Sequence, residues 1–315
     1  MTILSHIDIG VDVSKQHLDF YLHQEKKAFH VPNTIEGLKK FISSLAQYNI
    51  RQVVCESTGG YEHLMYKMLQ SLGYKVWRVE PKRIKAFIAS EGVKAKTDKI
   101  DAKMIALFAS QKECAYESFQ RSDDNEKLRS LVSLRTSMTT YAAEIKTQLQ
   151  QVVDPDCVKY LNKNLCALEK QIKKISEQID ALINDNDEFK NIEEIVTSIP
   201  GVGKGNAETF IALLPELGKV NNKEAAALVG VAPYIRQSGN LQGQAKISGG
   251  RAALRSIIYM AAVSAIRCNT RLAVFYKRLI DAGKKFKVAI VAVMRKLVVY
   301  MNTLVRKGEL WNLAI

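Results

Sequence analysis

Several features are scarce or missing in this 315-residue chain, and each absence closes off a class of protein. Five cysteines (Cys55, Cys114, Cys157, Cys166, Cys268) lie scattered, with no CxxC pair. That spacing argues against a zinc site or a disulfide framework and fits reduced thiols in a cytoplasm. The five histidines (His6, His17, His23, His30, His63) all fall in the first 63 residues, so a Ser-His-Asp triad confined to the second half is excluded. No stretch reaches about 18 uncharged apolar residues, which argues against a membrane span. The opening MTILSHIDIGVDVSK has no basic region leading into a long apolar run, so a signal peptide is not expected. Low-complexity tracts and repeats of 20 to 50 residues are also missing.

What is present is length enough for two or three domains, 47% hydrophobic residues, and an uneven excess of positive charge. Residues 251–315 carry 13 Lys/Arg against two acids, Asp281 and Glu309; the other 250 residues hold 33 basic and 30 acidic side chains. A basic tail on a near-neutral body points to a polyanionic partner. A lysine-rich soluble surface is the plainer alternative.

Periodicity divides the chain into three. Over the first 20-odd residues Ile7, Ile9, Val11 and Val13 alternate with Asp8, Gly10, Asp12 and Ser14, a β period. Two further strands (18–23, 26–33), a helix from 34 with Thr34 as N-cap, a strand at 51–58, a helix at 62–74, a strand at 75–81 and helix over most of 82–110 predict a mixed sheet flanked by helices. Residues 124–187 instead show apolar positions at 3/4 spacing on both sides of Asp154-Pro155-Asp156, interrupted at Arg135. That is a helical hairpin, packed within one subunit or forming a coiled coil between subunits. From Phe189 onward the pattern is helical and punctuated by glycine. SIPGVGKGNAETFIALLPELG (198–218) has the layout of a helix-hairpin-helix element, whose Gly201 and Gly203 loop and Lys204 would hold a backbone phosphate. The expected division is an α/β domain over 1–120, a helical arm over 121–188 and an all-α domain over 189–315.

Four carboxylates stand out by position. Asp12 lies in the first strand, Glu56 ends a later strand in VVCESTGGYE, and Asp98 and Asp101 are one helical turn apart in VKAKTDKIDAKMIALF. Strand-end acids and a helical pair can converge at one sheet edge, where they repel each other unless cations intervene. Magnesium suits such oxygen-only ligation, and two ions suit a phosphodiester exchange. Lys94 and Lys96 are placed to guide a phosphate backbone towards them.

The blocks IGVDVSK, CESTGGYE and KAKTDKIDAKMIALFA, with IPGVG, LVGVAPYIRQSGN, ISGGRAALRSIIYMAA and GKKFKVAIVAVMRKL, resemble the DEDD transposases of the insertion-sequence family numbered one hundred and ten, relatives of the pilin-gene invertases. The resemblance covers nearly the whole chain. It implies an RNase H-like first domain of the Holliday-junction-resolvase kind, with Asp12, Glu56, Asp98 and Asp101 as a Mg²⁺-binding tetrad, and an α-helical transposase domain. It also implies a second catalytic element, a serine matched here by Ser238 in APYIRQSGN, and a structured noncoding RNA that pairs with donor and target DNA. A serine hydroxyl needs activation to act as a nucleophile. The expectation is that Ser238 attacks a phosphodiester to give a phosphoserine link while the tetrad and Mg²⁺ stabilise the leaving oxygen. Arg236 and Arg251 would neutralise the phosphate, and Arg255, Lys284, Lys285 and Lys287 would extend the nucleic-acid surface. Strand exchange needs two cutting centres, so a dimer or tetramer is expected. Open alternatives are a metal-dependent junction endonuclease without a covalent intermediate, a site-specific invertase without guide RNA, and a non-catalytic nucleic-acid-binding protein.

Overall fold

The computed structural model describes residues 6–57, 59–92, 98–113, 122–234, 237–238, 241–242 and 245–312; the side chains of 98–100, 237–238 and 241–242 fall outside that description. The chain forms two compact units, Met1–Phe119 and Gln120–Ile315.

The first unit is built on β1 (Ile7–Val13), β2 (His17–Leu22), β3 (Lys27–Pro32), α1 (Ile35–Leu45), β4 (Ile50–Glu56), α2 (His63–Ser71), β5 (Val76–Val79), α3 (Pro81–Ser90) and α4 (Asp98–Gln111). The five strands form one mixed sheet in the order β3-β2-β1-β4-β5. β1, β4 and β5 run parallel, while β2 and β3 fold back antiparallel. The alternation in β1 sorts its side chains between two layers, because successive residues of a strand face opposite sides. Ile7, Ile9, Val11 and Val13 join Leu18, Phe20 and Leu22 in a core with Leu38, Phe41 and Leu45 of α1 and Met65 and Leu69 of α2. On the other face Val54 and Val79 pack with Ile84 of α3 and Ile105 and Phe108 of α4. Thr34 does cap α1, its hydroxyl accepting from the Gly37 amide at 3.2 Å.

The second unit begins with α5 (Asp123–Leu149) and α6 (Pro155–Asn184). Asp154 caps α6 by accepting from the Cys157 amide at 2.9 Å, and Pro155 occupies the first turn, where its missing N–H costs nothing. Deep packing of this hairpin is concentrated at its inner ends, with Ala142 buried farther out. Leu128, Val132, Ile175, Ile179 and Ile183 share a core with Phe189, Ile211 and Ala212. Ile145, Leu149, Leu161 and Leu165 farther out are half-buried. The arm and the domain expected after residue 188 are therefore continuous in this unit. Arg135, which interrupts the apolar series of α5, is accounted for by its ion pair with Glu208, a carboxylate only 3% exposed.

The rest of the unit comprises α7 (Asp187–Thr197), α8 (Lys204–Leu213), α9 (Asn222–Val229), four two-residue strands, α10 (Ala252–Cys268), α11 (Thr270–Asp281) and α12 (Phe286–Lys307). The strands β6 (Pro233–Tyr234) and β9 (Lys246–Ile247) pair with each other, as do β7 (Gln237–Ser238) and β8 (Leu241–Gln242). No strand was expected in this unit, since each is too short to show a period. α12 has the length and hydropathy of a membrane span, but half of its most apolar window is buried inside the unit. Ile290, Val293, Leu297 and Met301 fill the core formed with α7 to α10. Asn302, fully buried, accepts from the Gly218 amide and donates to the Val220 carbonyl and Asn222. The helix is thus the core of a folded unit rather than a uniformly apolar rod.

Candidate functional site

The sheet places Asp12 and Glu56 side by side. In the parallel β1–β4 ladder Gly10 is in register with Val54 and Val11 with Cys55. One step further along are Asp12 and Glu56, both half-buried, on adjacent strands about 4.8 Å apart. They share the face on which Gly10 and Val54 lie, the face covered by α4.

Contacts at the two ends of α4 fix its direction. Its C-terminal carbonyls at Ala109 and Lys112 accept from Gln52 at 2.7 and 2.8 Å, and Arg51 donates to Ala109 at 3.0 Å, all at the start of β4. Arg51 also donates to Asp8, buried at the start of β1, at 2.7 Å. Midway along the helix, Ala102 and Ala106 lie over Gly10. α4 therefore runs antiparallel to β1, with its N-terminus towards the Asp12 end. Gly10 lies nearest the backbone of Ala106; four helical residues back from Ala106 rise about 6 Å, and two strand residues on from Gly10 advance about 6.6 Å. Asp101, itself half-buried, is thus about level with Asp12, and the backbone of Asp98 lies one helical turn further on.

The loops that follow Asp12 and Glu56 are tied together. Asn33 donates both amide hydrogens, to the Ser14 and Tyr61 carbonyls, each at 3.0 Å. The turn after Glu56 is closed by Glu62, 3% exposed, which accepts from the Gly60 amide at 2.9 Å. Burial raises the Glu62 pKa, yet bonds from its own amide and that of Gly60, with His63 and Arg78 nearby, hold it below its usual value. Beneath this turn burial pushes the Cys55 thiol up to about 12, so it is neutral and no nucleophile.

Two residues unremarked in the sequence extend the same row. Asp19 is directly opposite Asp12 in the β1–β2 ladder, and His30 directly opposite Asp19 in the β2–β3 ladder. His30 Nδ1 lies 2.8 Å from Asp19 Oδ1. Once Ser14–His17 is recognised as the turn of a tight hairpin, the 12–19 pairing follows by counting outward from it.

The donor set of Asp12, Glu56, Asp98 and Asp101 is carboxylate oxygen alone, the chemistry of Mg²⁺ and not of a soft transition metal. Among the described residues, which do not include the Asp98 side chain, no three His, Cys, Asp or Glu side chains are close enough to form a metal cluster. The donor type fits the ion, while Asp12, Glu56 and Asp101 do not by themselves close into a three-carboxylate cluster.

The expected nucleic-acid residues fall into distinct settings. Gly201, at φ +97°, faces the backbone of Ala265 in α10, where any Cβ would come within 2.5 Å of Ala265 Cα. Gly203 has open space around it and is the N-cap of α8. Lys204 pairs with Asp180 at 2.7 Å, and that bond raises its pKa. Nearby, burial raises the Glu193 carboxyl. Arg251 makes a two-pronged pair with Glu216 at 2.6 and 2.8 Å and also donates to the Leu213 carbonyl. Arg255 donates to the Gly249 carbonyl at 2.5 Å. Lys284, Lys285 and Lys287 are exposed where the chain enters α12 and make no ion pair among the described residues. Ser238 ends β7 and pairs in register with Leu241 of β8, its side chain outside the description. Lys94, Lys96 and Arg236 lie outside the described residues.

A carboxylate-bearing α/β unit followed by a basic helical unit is an arrangement suited to chemistry on nucleic acid, and comparison with known proteins gives it a family. Residues 9–155 match the DEDD transposase family IS110, and residues 193–277 match the transposase family IS116/IS110/IS902. The chain is 28% identical over 320 residues to the pilin gene-inverting protein of Moraxella bovis, covering 97% of this chain and 98% of that protein. It is 27% identical over 317 residues to the pilin gene-inverting protein of Moraxella lacunata, with the same coverage. The chain belongs to the IS110 family of transposases and recombinases.

Proposed function

We propose that this protein cuts and rejoins DNA through an RNase H-like acidic edge acting with a serine nucleophile. The observation that carries this reading is the placement of Asp12 and Glu56 on adjacent parallel strands, beneath the helical turn that bears Asp98 and Asp101. Bound Mg²⁺ would supply charge stabilisation to phosphate oxygens. Asp12, Glu56, Asp98 and Asp101 would hold it. The Ser238 hydroxyl attacks phosphorus and loses its proton as the Oγ–P bond forms. The P–O bond to the leaving strand breaks, and that oxygen takes up a proton. Attack on the phosphoserine by a hydroxyl of the incoming strand reverses these steps and restores the serine, so exchange needs no external energy source. Two strands must be cut in one synapse, so a dimer or tetramer acts, on donor and target DNA in the cytoplasm, with a structured noncoding RNA selecting the sites.

One observation favours a variant of this reading. Both reported relatives are named for inverting a pilin gene and match along almost the whole chain. Inversion at fixed sites without a guide RNA is therefore the second reading. Purification from the native host, followed by sequencing of bound RNA, separates the two: one abundant structured transcript supports the guided form, and its absence from active protein supports the fixed-site form.

The chemistry is tested by denaturing a reaction with labelled DNA. The wild type should retain label on the protein, and Ser238→Ala should not. Asp12→Asn should bind DNA normally and form no adduct. Cut DNA with free ends and no adduct from the wild type would replace the recombinase reading with a junction endonuclease.

A further inference from the structure

The row of polar residues beneath α4 continues past the four expected carboxylates. Across the sheet, His30, Asp19 and Asp12 occupy one line of register, and Glu56 is the next position beyond Asp12. All four belong to the face opposite the Ile9, Val11, Phe20 and Cys55 core. Directly opposed residues of an antiparallel pair have Cβ atoms about 5 Å apart, so Asp19 and Asp12 are near neighbours, and like charges so placed are destabilising. A chain selected for stability alone gains nothing from a second carboxylate here.

Asp19 is not a loose surface acid. Its side chain is 15% exposed and its Oδ1 accepts from His30 Nδ1 at 2.8 Å. A carboxylate only accepts, so the proton of that bond sits on Nδ1. The His30 ring is itself held by stacking on His17, with centroids 4.7 Å apart and planes inclined by 27°. The pair borders a cavity of about 160 Å³ that also reaches Tyr21 and Ala102, the α4 residue packed on Gly10. His30 and Asp12 flank Asp19 on opposite sides. His30 thus engages Asp19 Oδ1 from the strand on the side away from Asp12.

We propose that Asp19 is a positioning residue for the cation held by Asp12 and Glu56, holding a water of the hydrated ion, and that His30 fixes the Asp19 carboxylate for that task. Magnesium gives up its waters reluctantly and keeps several when bound, so a carboxylate one position away serves it through water. Removing such an outer partner weakens metal affinity by about 10- to 100-fold. The inference rests on the proposed reading of Asp12 and Glu56 as ion-binding groups.

The test uses full-length protein and measures Mg²⁺ binding by calorimetry, alongside the Mg²⁺ concentration that gives half-maximal DNA cleavage. Asp19→Asn should raise the Mg²⁺ dissociation constant and the half-maximal Mg²⁺ concentration by about 10- to 100-fold, with cleavage recovering at saturating Mg²⁺ and the melting temperature no lower than that of the wild type. His30→Ala should shift both in the same direction by less. His30→Asn, which returns a donor near the Nδ1 position, should restore them. His30 is 58% exposed, so its variants remain folded and decisive if Asp19→Asn does not fold. If Asp12→Asn abolishes Mg²⁺ binding while Asp19→Asn and His30→Ala bind like wild type, this inference is wrong and the acidic-edge reading stands. If Asp12→Asn also binds and cleaves like wild type, the acidic-edge reading itself fails, and this inference with it.

Discussion

Gly10 of β1 lies directly beneath the backbone of Ala106 in α4, so close that a Cβ on Gly10 would sit 2.7 Å from Ala106 Cα and nearer still to its amide nitrogen. Strand and helix meet there with no side chain between them. Glycine therefore sets the height of α4 above the sheet, and hence the distance from its first turn to Asp12.

Gly10→Ala should lift that helix. Inserting a methyl group into closed packing costs about 1–3 kcal/mol. The expected result is a clear fall in melting temperature and a much larger proportional fall in strand cleavage, since the displaced turn carries Asp98 and Asp101. DNA binding by the basic helical unit should be little changed. A variant that loses stability but cleaves at the wild-type rate would show that the spacing of α4 does not control the acidic edge.

The two units differed in how far their sequences disclosed them. The first unit's sheet was legible because β1 alternates cleanly between Ile/Val and Asp/Gly, and each parity has its own packing layer. The approach of Asp12 to Glu56 required only that two strands be parallel neighbours. What the sequence did not disclose was partnership at a distance. Arg251 has the appearance of a phosphate ligand in a basic segment, but its partner Glu216 is 35 residues earlier and belongs to no motif with it. Arg135 likewise reads in the sequence as a break in the apolar 3/4 spacing, and its partner Glu208 lies 73 residues further on. The two strand pairs β6–β9 and β7–β8 leave no trace in the sequence, because two-residue strands carry no period. Asp19 gives no signal in the sequence, because an acid in an alternating strand resembles an ordinary solvent-facing residue.

Those partnerships distinguish cations engaged within the fold, such as Arg251 and Arg135, from cations left exposed, such as Lys284, Lys285 and Lys287. Replacing Lys284, Lys285 and Lys287 together by alanine should flatten the dependence of log affinity on log salt. Each lost phosphate contact on duplex DNA removes about 0.9 from the slope, so the full change is about 2.7. The melting temperature should stay close to wild type, because all three side chains are exposed. Arg251→Ala should do the opposite. It breaks the two-pronged pair with Glu216 and should lower stability by about 1–2 kcal/mol while leaving the salt slope nearly intact. Binding titrations at four or more salt concentrations measure both effects. A slope unchanged in the triple-lysine variant would remove the entrance to α12 from the DNA surface.

The turn after Glu56 makes the protein's acid sensitivity predictable. Glu62 is buried, and burial alone would raise its pKa; the Glu62 and Gly60 amides, His63 and Arg78 outweigh it and bring the carboxyl below its ordinary 4.5. A carboxylate with a lower pKa folded than unfolded adds stability that is complete above the unfolded value. That contribution fades as pH falls through the folded value. Glu62→Gln keeps the shape and loses the charge. Wild type should therefore melt above the variant at pH 7, and the gap should narrow steadily below about pH 4.5. Because this turn holds the end of β4, the variant should also cleave DNA more slowly at pH 7, with Glu56 untouched. Thermal melts of both proteins from pH 3 to 7 provide the measurement. A gap that stayed constant across that range would mean the Glu62 charge does not stabilise the fold.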